Sequence, residues 1–142
     1  MLNSAQRVLA DLPYLVSLSL IDSQEEFVRL QQAQMMKGQR EDGRPIFNVK
    51  TGSDQYSPGY AKRKGKSSPI DLRDTGAFQD ATFIHVEDQQ TFTVDSADSK
   101  SGKLQENYGT QIFGLNDESK VEFMPIAKDN LLTELINELN KR

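Results

Sequence analysis

The feature that most constrains this chain is a stretch of more than thirty residues, 38–71, that shows neither a helical nor a strand period. Glycine and proline recur through it, and irregular segments of this length are uncommon inside a compact domain. Disordered segments seldom hold many aromatic and β-branched residues, whereas this one holds six apolar anchors: Ile46, Phe47, Val49, Tyr56, Tyr60 and Ile70. We therefore predict an extended loop arm that becomes ordered through contacts with another subunit.

The composition indicates one domain with a thin core. The chain has 142 residues, its apolar fraction of 36% is below the globular average, and its net charge of −4 favours solubility. The absence of cysteine excludes disulfides, thiolate chemistry and cysteine-based zinc sites. The longest apolar run, residues 12–21, is shorter than the ~20 residues of a membrane span, and the N-terminus lacks the basic region of a signal peptide. We expect a homo-oligomer and no membrane partner.

Helical patterns precede the arm. Residues 4–11 and 13–20 show short apolar faces, and the proline that opens the second segment suits a first helical turn. Ser23 and Glu26 have the spacing of a capping box, which predicts a third helix over residues 24–37. The face of that helix is sparse and rich in glutamine: Phe27, Leu30, Gln34 and Met35. Two interpretations stay open, a solvated helix or a helix buried against a neighbouring subunit, where glutamine forms hydrogen bonds.

A hairpin and a terminal helix follow the arm. Alternation over residues 78–86 and 91–94, with a polar turn between them, predicts an antiparallel hairpin. Residues 103–107 fit one helical turn, and residues 111–114 fit a third strand or an extended contact.

The end of the chain predicts an amphipathic helix. Asn116 is a favourable N-cap, two acidic residues follow it, and apolar residues then recur every three or four positions. Pro125 lies inside this pattern, so we expect a break or a kink there and a main helix over residues 126–140. We expect the helix to pack on the hairpin, residues 78–94, through three leucines: Leu131, Leu135 and Leu139.

These patterns together predict an α+β fold in a single domain, residues 1–142. A helical N-terminal part (1–37) precedes the extended loop arm (38–71). A small antiparallel β-sheet and the C-terminal amphipathic helix complete the domain (72–142).

No residue pattern supports an enzyme. His85 is the only histidine, and a lone histidine in a predicted strand is usually a surface side chain. The carboxylates form sequence-adjacent pairs at a helix start, a loop and a turn, which normally face solvent. Ser57, Ser67 and Ser68 have no visible general base, and no glycine pattern matches a phosphate-binding loop. We predict no catalytic residue, no cofactor and no metal site.

The most specific part of the arm is a polar, cationic loop. Tyr56 and Tyr60 bracket a Ser-Pro-Gly turn, and four cations follow: Lys62, Arg63, Lys64 and Lys66. We predict that this loop docks on a partner protein. The alternative is a small nucleic-acid-binding module, in which the basic loop at residues 62–66 contacts phosphates in a salt-dependent way and the tyrosines stack on bases.

A turn at Thr75 and Gly76 separates this loop from the hairpin. Glycine at a loop-to-strand junction indicates a positive φ or the close approach of another chain. The Thr75 hydroxyl is placed to bond a nearby amide, and Asp71 and Arg73 are expected to brace the turn as an ion pair. We predict that this turn aims the basic loop at its partner.

The segment Leu72-x-x-Thr75-Gly76-x-Phe78 resembles the Leu-x-x-Thr-Gly-x-Leu/Phe signature of bacteriophage virion-morphogenesis and tail-completion proteins, the small head–tail joining proteins of tailed phages. In that family a lysine-rich loop precedes the signature, and here Tyr56-Ser57-Pro58-Gly59-Tyr60-Ala61-x-x-Lys64 stands in its place. Residues 108–115 are similar to the family's segment with Tyr and Phe-Gly, which precedes the C-terminal helix. The resemblance covers roughly residues 27–139 in the same element order.

The resemblance implies a structural, non-enzymatic virion protein that is assembled in the host bacterial cytoplasm and forms a ring at the neck, between portal and tail. It implies as partners other copies of the chain, portal or adaptor proteins, tail proteins, and DNA passing through the ring lumen. The residues expected to make assembly contacts are Tyr56, Tyr60, Lys62, Arg63, Lys64, Lys66, Leu72, Thr75, Gly76, Phe78 and Phe113.

Overall fold

The structure, a computed structural model, describes residues 3–88 and 91–141 and confirms an α+β fold. Its elements are α1 (Ser4–Asp22), α2 (Gln24–Met36), α3 (Pro58–Lys64), α4 (Ala77–Asp80), β1 (Thr82–Val86), β2 (Phe92–Ser96), α5 (Ser101–Tyr108), a 3-10 turn (Thr110–Ile112) and α6 (Asp117–Leu139). The two strands pair antiparallel, which confirms the hairpin, with Thr82 opposite Ser96 and Val86 opposite Phe92. Residues 89 and 90 of the predicted turn lie outside the described residues.

Both long helices continue through a proline. Pro13 lies inside α1, which is one helix and not two, and Pro125 lies inside α6 without ending it. A proline in a helix removes one backbone hydrogen bond and crowds the preceding turn. Here α1 and α6 pack against each other, and this tertiary contact outweighs the local cost. The predicted division of α1 is therefore wrong, and so is a break in α6 with a main helix that starts at residue 126, whereas a kink at Pro125 stays a prediction.

The junction of α1 and α2 differs from the predicted capping box. The Ser23 hydroxyl donates to the Ser19 carbonyl at 2.6 Å and accepts a hydrogen bond from Asn130 Nδ2 at 2.7 Å, so it does not cap α2. The capping box does not form because Ser23 is buried between α1, which ends at Asp22, and α2, which begins at Gln24. A capping box occurs instead at the start of α1, between Asn3 and Gln6. The predicted N-cap of α6 is confirmed, since Asn116 accepts from the Ser119 amide at 3.0 Å.

Residues 38–71 are not an extended arm without a core. Ile46 and Ile70 are buried in a cluster with five other residues, and these are Met35, Leu72, Phe78, Ile112 and Phe113. The segment also contains α3, whose start is capped by the Ser57 side chain and whose end is Gly65 in the left-handed region. Of the six predicted anchors, Ile46 and Ile70 are buried within their own chain, Phe47, Tyr56 and Tyr60 are half-buried, and Val49 is exposed. Contact with another subunit stays a prediction.

A second cluster joins the hairpin to the helices. It contains Phe27, Leu30, Ile84, Leu115 and Phe123, and the ring of Phe27 makes edge contacts with Phe92 and Phe123.

The C-terminal helix packs on α1 and, to a smaller extent, on α2. The expected contact of Leu131, Leu135 and Leu139 with the hairpin is therefore wrong, and the Leu139 side chain is 47% exposed. Only the N-terminal half of α6, through Phe123 and Ala127, reaches the cluster that includes the hairpin. The two strands have five residues each, too few to cover a helix of 23 residues.

Two buried glutamines of α2 form hydrogen bonds with the backbone of residues 112–116. Gln31 donates to the Ile112 carbonyl at 3.2 Å and accepts from the Gly114 amide at 2.7 Å. Gln34 donates to the Gly114 carbonyl and accepts from the Asn116 amide, both at 2.8 Å. We call these four bonds the glutamine ladder. The α2 face is buried within its own chain, so the solvated helix is wrong, and the face packs here on the chain's own residues and not on a neighbouring subunit. Residues 111–114, predicted as a third strand or an extended contact, form the end of the 3-10 turn and a bend with Gly114 at a φ of 106°, so that prediction is wrong.

Candidate functional site

The candidate site is a surface groove of about 770 Å³. It lies between α3, the turn at residues 72–78 and α5, and the loop at residues 48–57 closes one side. Seven of the predicted contact residues line it, namely Tyr56, Tyr60, Arg63, Leu72, Thr75, Gly76 and Phe78. We call it the tyrosine groove, because Tyr56 and Tyr60 share its wall with Tyr108.

A buried carboxylate holds the wall of this groove together. The Asp71 side chain is 4% exposed, and its oxygens bind Lys66 Nζ at 2.6 Å and Lys64 Nζ at 3.0 Å. It also accepts from the Arg73 amide at 3.0 Å and from the Tyr56 hydroxyl at 3.1 Å. We call this set of bonds the Asp71 lock. It ties α3 and the basic loop to the turn that follows them.

The lock changes the acidity of its members. Burial alone raises the pKa of the Asp71 carboxyl, but hydrogen bonds from Lys66, from the Arg73 amide and from Lys64 outweigh burial and lower the pKa to about 2. Burial and the Asp71 charge raise the pKa of the Tyr56 phenol above its ordinary value. At neutral pH the carboxyl is therefore ionised and the phenol is protonated, which is the combination that their hydrogen bond needs.

The Tyr56 hydroxyl also fixes an unusual backbone conformation. It accepts hydrogen bonds from the amides of Asp71 at 3.2 Å and Leu72 at 3.1 Å. Leu72 has a φ of 59°, in the left-handed region that leucine rarely adopts and that costs roughly 1–2 kcal/mol. Its buried side chain and the two bonds to Tyr56 offset that strain.

The Thr75-Gly76 turn is confirmed in its geometry and corrected in its context. Gly76 has a φ of 93°, and the Thr75 hydroxyl accepts from the Ala77 amide at 3.3 Å. The turn opens the short helix α4, whereas a strand was predicted, so Phe78 lies in a helical turn before β1. The expected ion pair between Asp71 and Arg73 does not form, because Lys64 and Lys66 occupy the carboxylate.

Aromatic rings and cations line the groove. The rings of Tyr56 and Tyr60 lie 4.9 Å apart between centroids, and the guanidinium of Arg63 lies 5.5 Å over the Tyr60 ring. The third tyrosine, Tyr108, is half-buried and packs with Tyr56 against the same core cluster, and burial, followed by the neighbouring Tyr60, raises the pKa of its phenol.

Sequence reasoning missed the contribution of α5 to this groove. Lys100, Lys103 and Tyr108 lie more than twenty residues from the Thr75-Gly76 turn, yet they line the same cavity. Three cations, Arg63, Lys100 and Lys103, line the groove, against one acidic residue, Asp74. Lys100 contacts Asp74 at 3.8 Å. The groove thus carries local positive charge on a chain of net charge −4. The sequence offered one signal, the aromatic Tyr108 directly before Gly109, which entered the prediction only as part of the segment before the C-terminal helix.

The remaining predicted residues lie elsewhere. Lys62 is exposed on α3 and does not line the groove, and Lys64 and Lys66 are held by Asp71. Phe113 is buried, contacts Phe78 at 5.7 Å between ring centroids, and lines a second, smaller cavity of about 490 Å³. Phe113 is therefore a core residue and does not line the tyrosine groove.

Other kinds of site find little support in the described part of the chain. His85 is exposed on β1. Within residues 3–88 and 91–141, no group of three acidic or histidine side chains is placed to hold a metal ion. No described helix is long and apolar enough to cross a membrane.

No family model, curated protein or solved structure matches this chain. The motifs at residues 56–78 and 108–115 remain the basis of the resemblance to phage joining proteins.

Proposed function

We propose that this protein is a structural, non-enzymatic component of a tailed-bacteriophage virion. In this proposal it is a head–tail joining or tail-completion protein that assembles in the host bacterial cytoplasm and forms a ring at the neck. Its partners are copies of itself, the portal or adaptor and tail proteins, and DNA passing through the ring.

One observation carries the proposal. The segment with the family resemblance, residues 56–78, is held as one unit by the Asp71 lock and forms the wall of a surface groove. A segment used only as a linker has no need of a buried charge network or of a leucine at positive φ.

The groove suits a protein partner. Tyrosine and arginine are enriched at the centres of protein interfaces, because they bury large areas and keep a polar group for hydrogen bonds. Tyr60 and Arg63 are such a pair, and both line the groove.

The alternative, a nucleic-acid-binding module, loses part of its support. Lys64 and Lys66 bind Asp71, so two of the four cations at residues 62–66 are already paired within the chain. Fewer cations for phosphate means weaker binding and a shallower dependence on salt. Two cations of the basic loop, Lys62 and Arg63, are exposed, and cations of α5 lie nearby. Binding of DNA by the isolated protein, measured as a function of salt, therefore tests the alternative.

The test is deletion of the coding sequence from the phage or prophage genome that carries it, followed by electron microscopy of the lysate. We expect filled heads and separate tails in place of joined particles, restored by the wild-type chain. The Arg63→Glu variant should restore them poorly. Its control, Lys62→Glu, makes the same charge change on the same helix outside the groove and should restore them fully. Joined, infectious particles from the deletion would contradict the proposal.

A further inference from the structure

The C-terminal helix has a second apolar face that residues 3–88 and 91–141 leave about half exposed or more. Its members are Val121, Leu132, Ile136 and Leu139, which are 75%, 55%, 48% and 47% exposed. They are spaced by eleven, four and three residues and therefore lie on one side of α6. We call this face the α6 stripe. The buried residues of α6, such as Phe123, lie on another side and contact the rest of the chain.

Negative charge accompanies the α6 stripe. α6 contains six acidic and two basic residues, and three of the acids, Glu118, Glu122 and Asp129, recur at intervals of four and seven residues. This spacing places them along one edge of the stripe, where Glu122 and Asp129 are exposed. The stripe is thus acidic at one edge, and its apolar side is interrupted by one exposed cation, Lys128, which lies between Val121 and Leu132.

The tyrosine groove has the complementary character. Its floor is aromatic and apolar, with Tyr60, Leu72 and Phe78. Its rim carries three cations, Arg63, Lys100 and Lys103, and one acid, Asp74, which contacts Lys100. The groove is built from α3, α4 and α5, whereas the stripe belongs to α6. One copy of the chain therefore presents two different surfaces that match each other in charge and polarity.

We propose that the tyrosine groove of one copy takes the α6 stripe of a second copy. This is a head-to-tail contact, because each copy uses a different surface, and such contacts close into rings when the rotation between copies permits. The inference rests on the proposed function, in which the chain forms a ring, and it names the two surfaces that build the ring. Acidic residues of the stripe pair with the basic rim, and the leucines cover the tyrosines.

Two double variants test the contact in solution. Arg63→Glu/Lys103→Glu makes the groove acidic, and Leu132→Asp/Ile136→Asp makes the stripe acidic. We expect the wild type to associate beyond a dimer as concentration rises in sedimentation experiments, and each variant alone to stay at the monomer mass of 16.0 kDa. An equal mixture should form a dimer of about 32 kDa and nothing larger, since it retains one intact pair of surfaces and the altered pair repels.

Other outcomes overturn the proposal. A mixture that stays monomeric, or a groove variant that associates like the wild type, shows that the groove does not take the stripe. Association lost only in the stripe variant indicates instead a symmetric contact between two α6 helices.

Cysteine cross-linking tests the same contact in particles, and the natural chain contains no cysteine to interfere. Lys103→Cys/Leu132→Cys should give a ladder of disulfide-linked oligomers in assembled particles after mild oxidation. Lys103→Cys and Leu132→Cys, each alone, are the controls and should give none. Particles that contain the double variant without a ladder contradict the contact even where the deletion phenotype supports a joining role. A deletion without phenotype contradicts the joining role itself, so the two failures are distinguishable.

Discussion

Two irregular segments of this chain are held by buried polar side chains, one with charge and one without. The Asp71 lock fixes residues 64–73 through a carboxylate, two lysines and a tyrosine. The glutamine ladder fixes residues 112–116 through four neutral hydrogen bonds from Gln31 and Gln34. Both give a backbone without regular structure the partners that a sheet would supply. The charged version lies beside the groove and depends on pH, whereas the neutral version lies in the core and does not.

The largest expected effect comes from removing the charge at the centre of the lock. Asp71→Ala leaves Lys64, whose side chain is 13% exposed, without its counter-charge, and should lower the free energy of unfolding by about 3 kcal/mol. Urea denaturation measures the change. Asp74→Ala, an acid 72% exposed and three residues away, is the control and should cost less than about 0.5 kcal/mol. Equal effects of the two substitutions would show that the lock does not stabilise the fold.

Removing one glutamine of the ladder is expected to lower the free energy of unfolding slightly less than removing Asp71 does. Gln34→Leu leaves the Gly114 carbonyl and the Asn116 amide without their side-chain partner and should cost about 2–3 kcal/mol in the same measurement. Gln24→Leu, at an exposed position of the same helix, should change stability by less than about 0.5 kcal/mol. A neutral result for Gln34→Leu would mean that residues 112–116 are held by packing alone.

Stability at acid pH distinguishes the Asp71 lock from the glutamine ladder, because only the lock contains a titratable carboxyl. The pKa of Asp71 falls from 3.8 to about 2 on folding, so its stabilisation is complete above pH 3.8 and is lost as pH falls towards 2. The loss should amount to about 2 kcal/mol. Asp71→Asn should remove this part of the pH dependence, whereas Gln34→Leu should leave it intact. The same acid slope in Asp71→Asn and in the wild type would assign the pH dependence to other carboxyls.

The smallest effect is expected at the turn beside the lock. Gly76→Ala places a Cβ at a φ of 93° and should cost about 1 kcal/mol through backbone strain, because neighbouring atoms leave room for the methyl group. Gly102→Ala, in α5 without a positive φ and with open space around it, is the matched control and should be neutral or slightly stabilising. Melting temperatures compare them, and a neutral Gly76→Ala would remove the reason for a glycine there.

Features fixed by neighbouring residues were predictable from the sequence, whereas features fixed by distant contacts were not. The hairpin follows from the local strand period and the Asn116 cap from capping chemistry, so both were predictable. Helix α2 was predicted over nearly the right residues, although the Ser23 capping box behind that prediction does not form. The positive φ of Gly76 and the bond of Thr75 followed from local turn rules. Short-range rules overestimated the effect of Pro13 and Pro125, because the contact between α1 and α6 that sustains those helices is distant in sequence.

The partners of polar side chains were the least predictable part. Asp71 was assigned to Arg73, its near neighbour, but the structure pairs it with Lys64 and Lys66. Gln31 and Gln34 bond residues more than seventy positions away, and Tyr108 joins the groove from α5. A sequence shows which side chains can form hydrogen bonds, but tertiary packing decides which of them meet.

The central claim is that residues 56–73 are ordered by the Asp71 lock within a single chain. Hydrogen exchange of the isolated protein at neutral pH tests it most directly, read at the amides of Asp71 and Leu72, which bond Tyr56. We predict slow exchange at these amides, comparable to Gly114 and Asn116 in the glutamine ladder, and fast exchange at Asp71 and Leu72 alone in a Tyr56→Phe variant. Exchange of Asp71 and Leu72 at unfolded-chain rates in the isolated wild type would contradict the account, because the segment would then become ordered only on assembly.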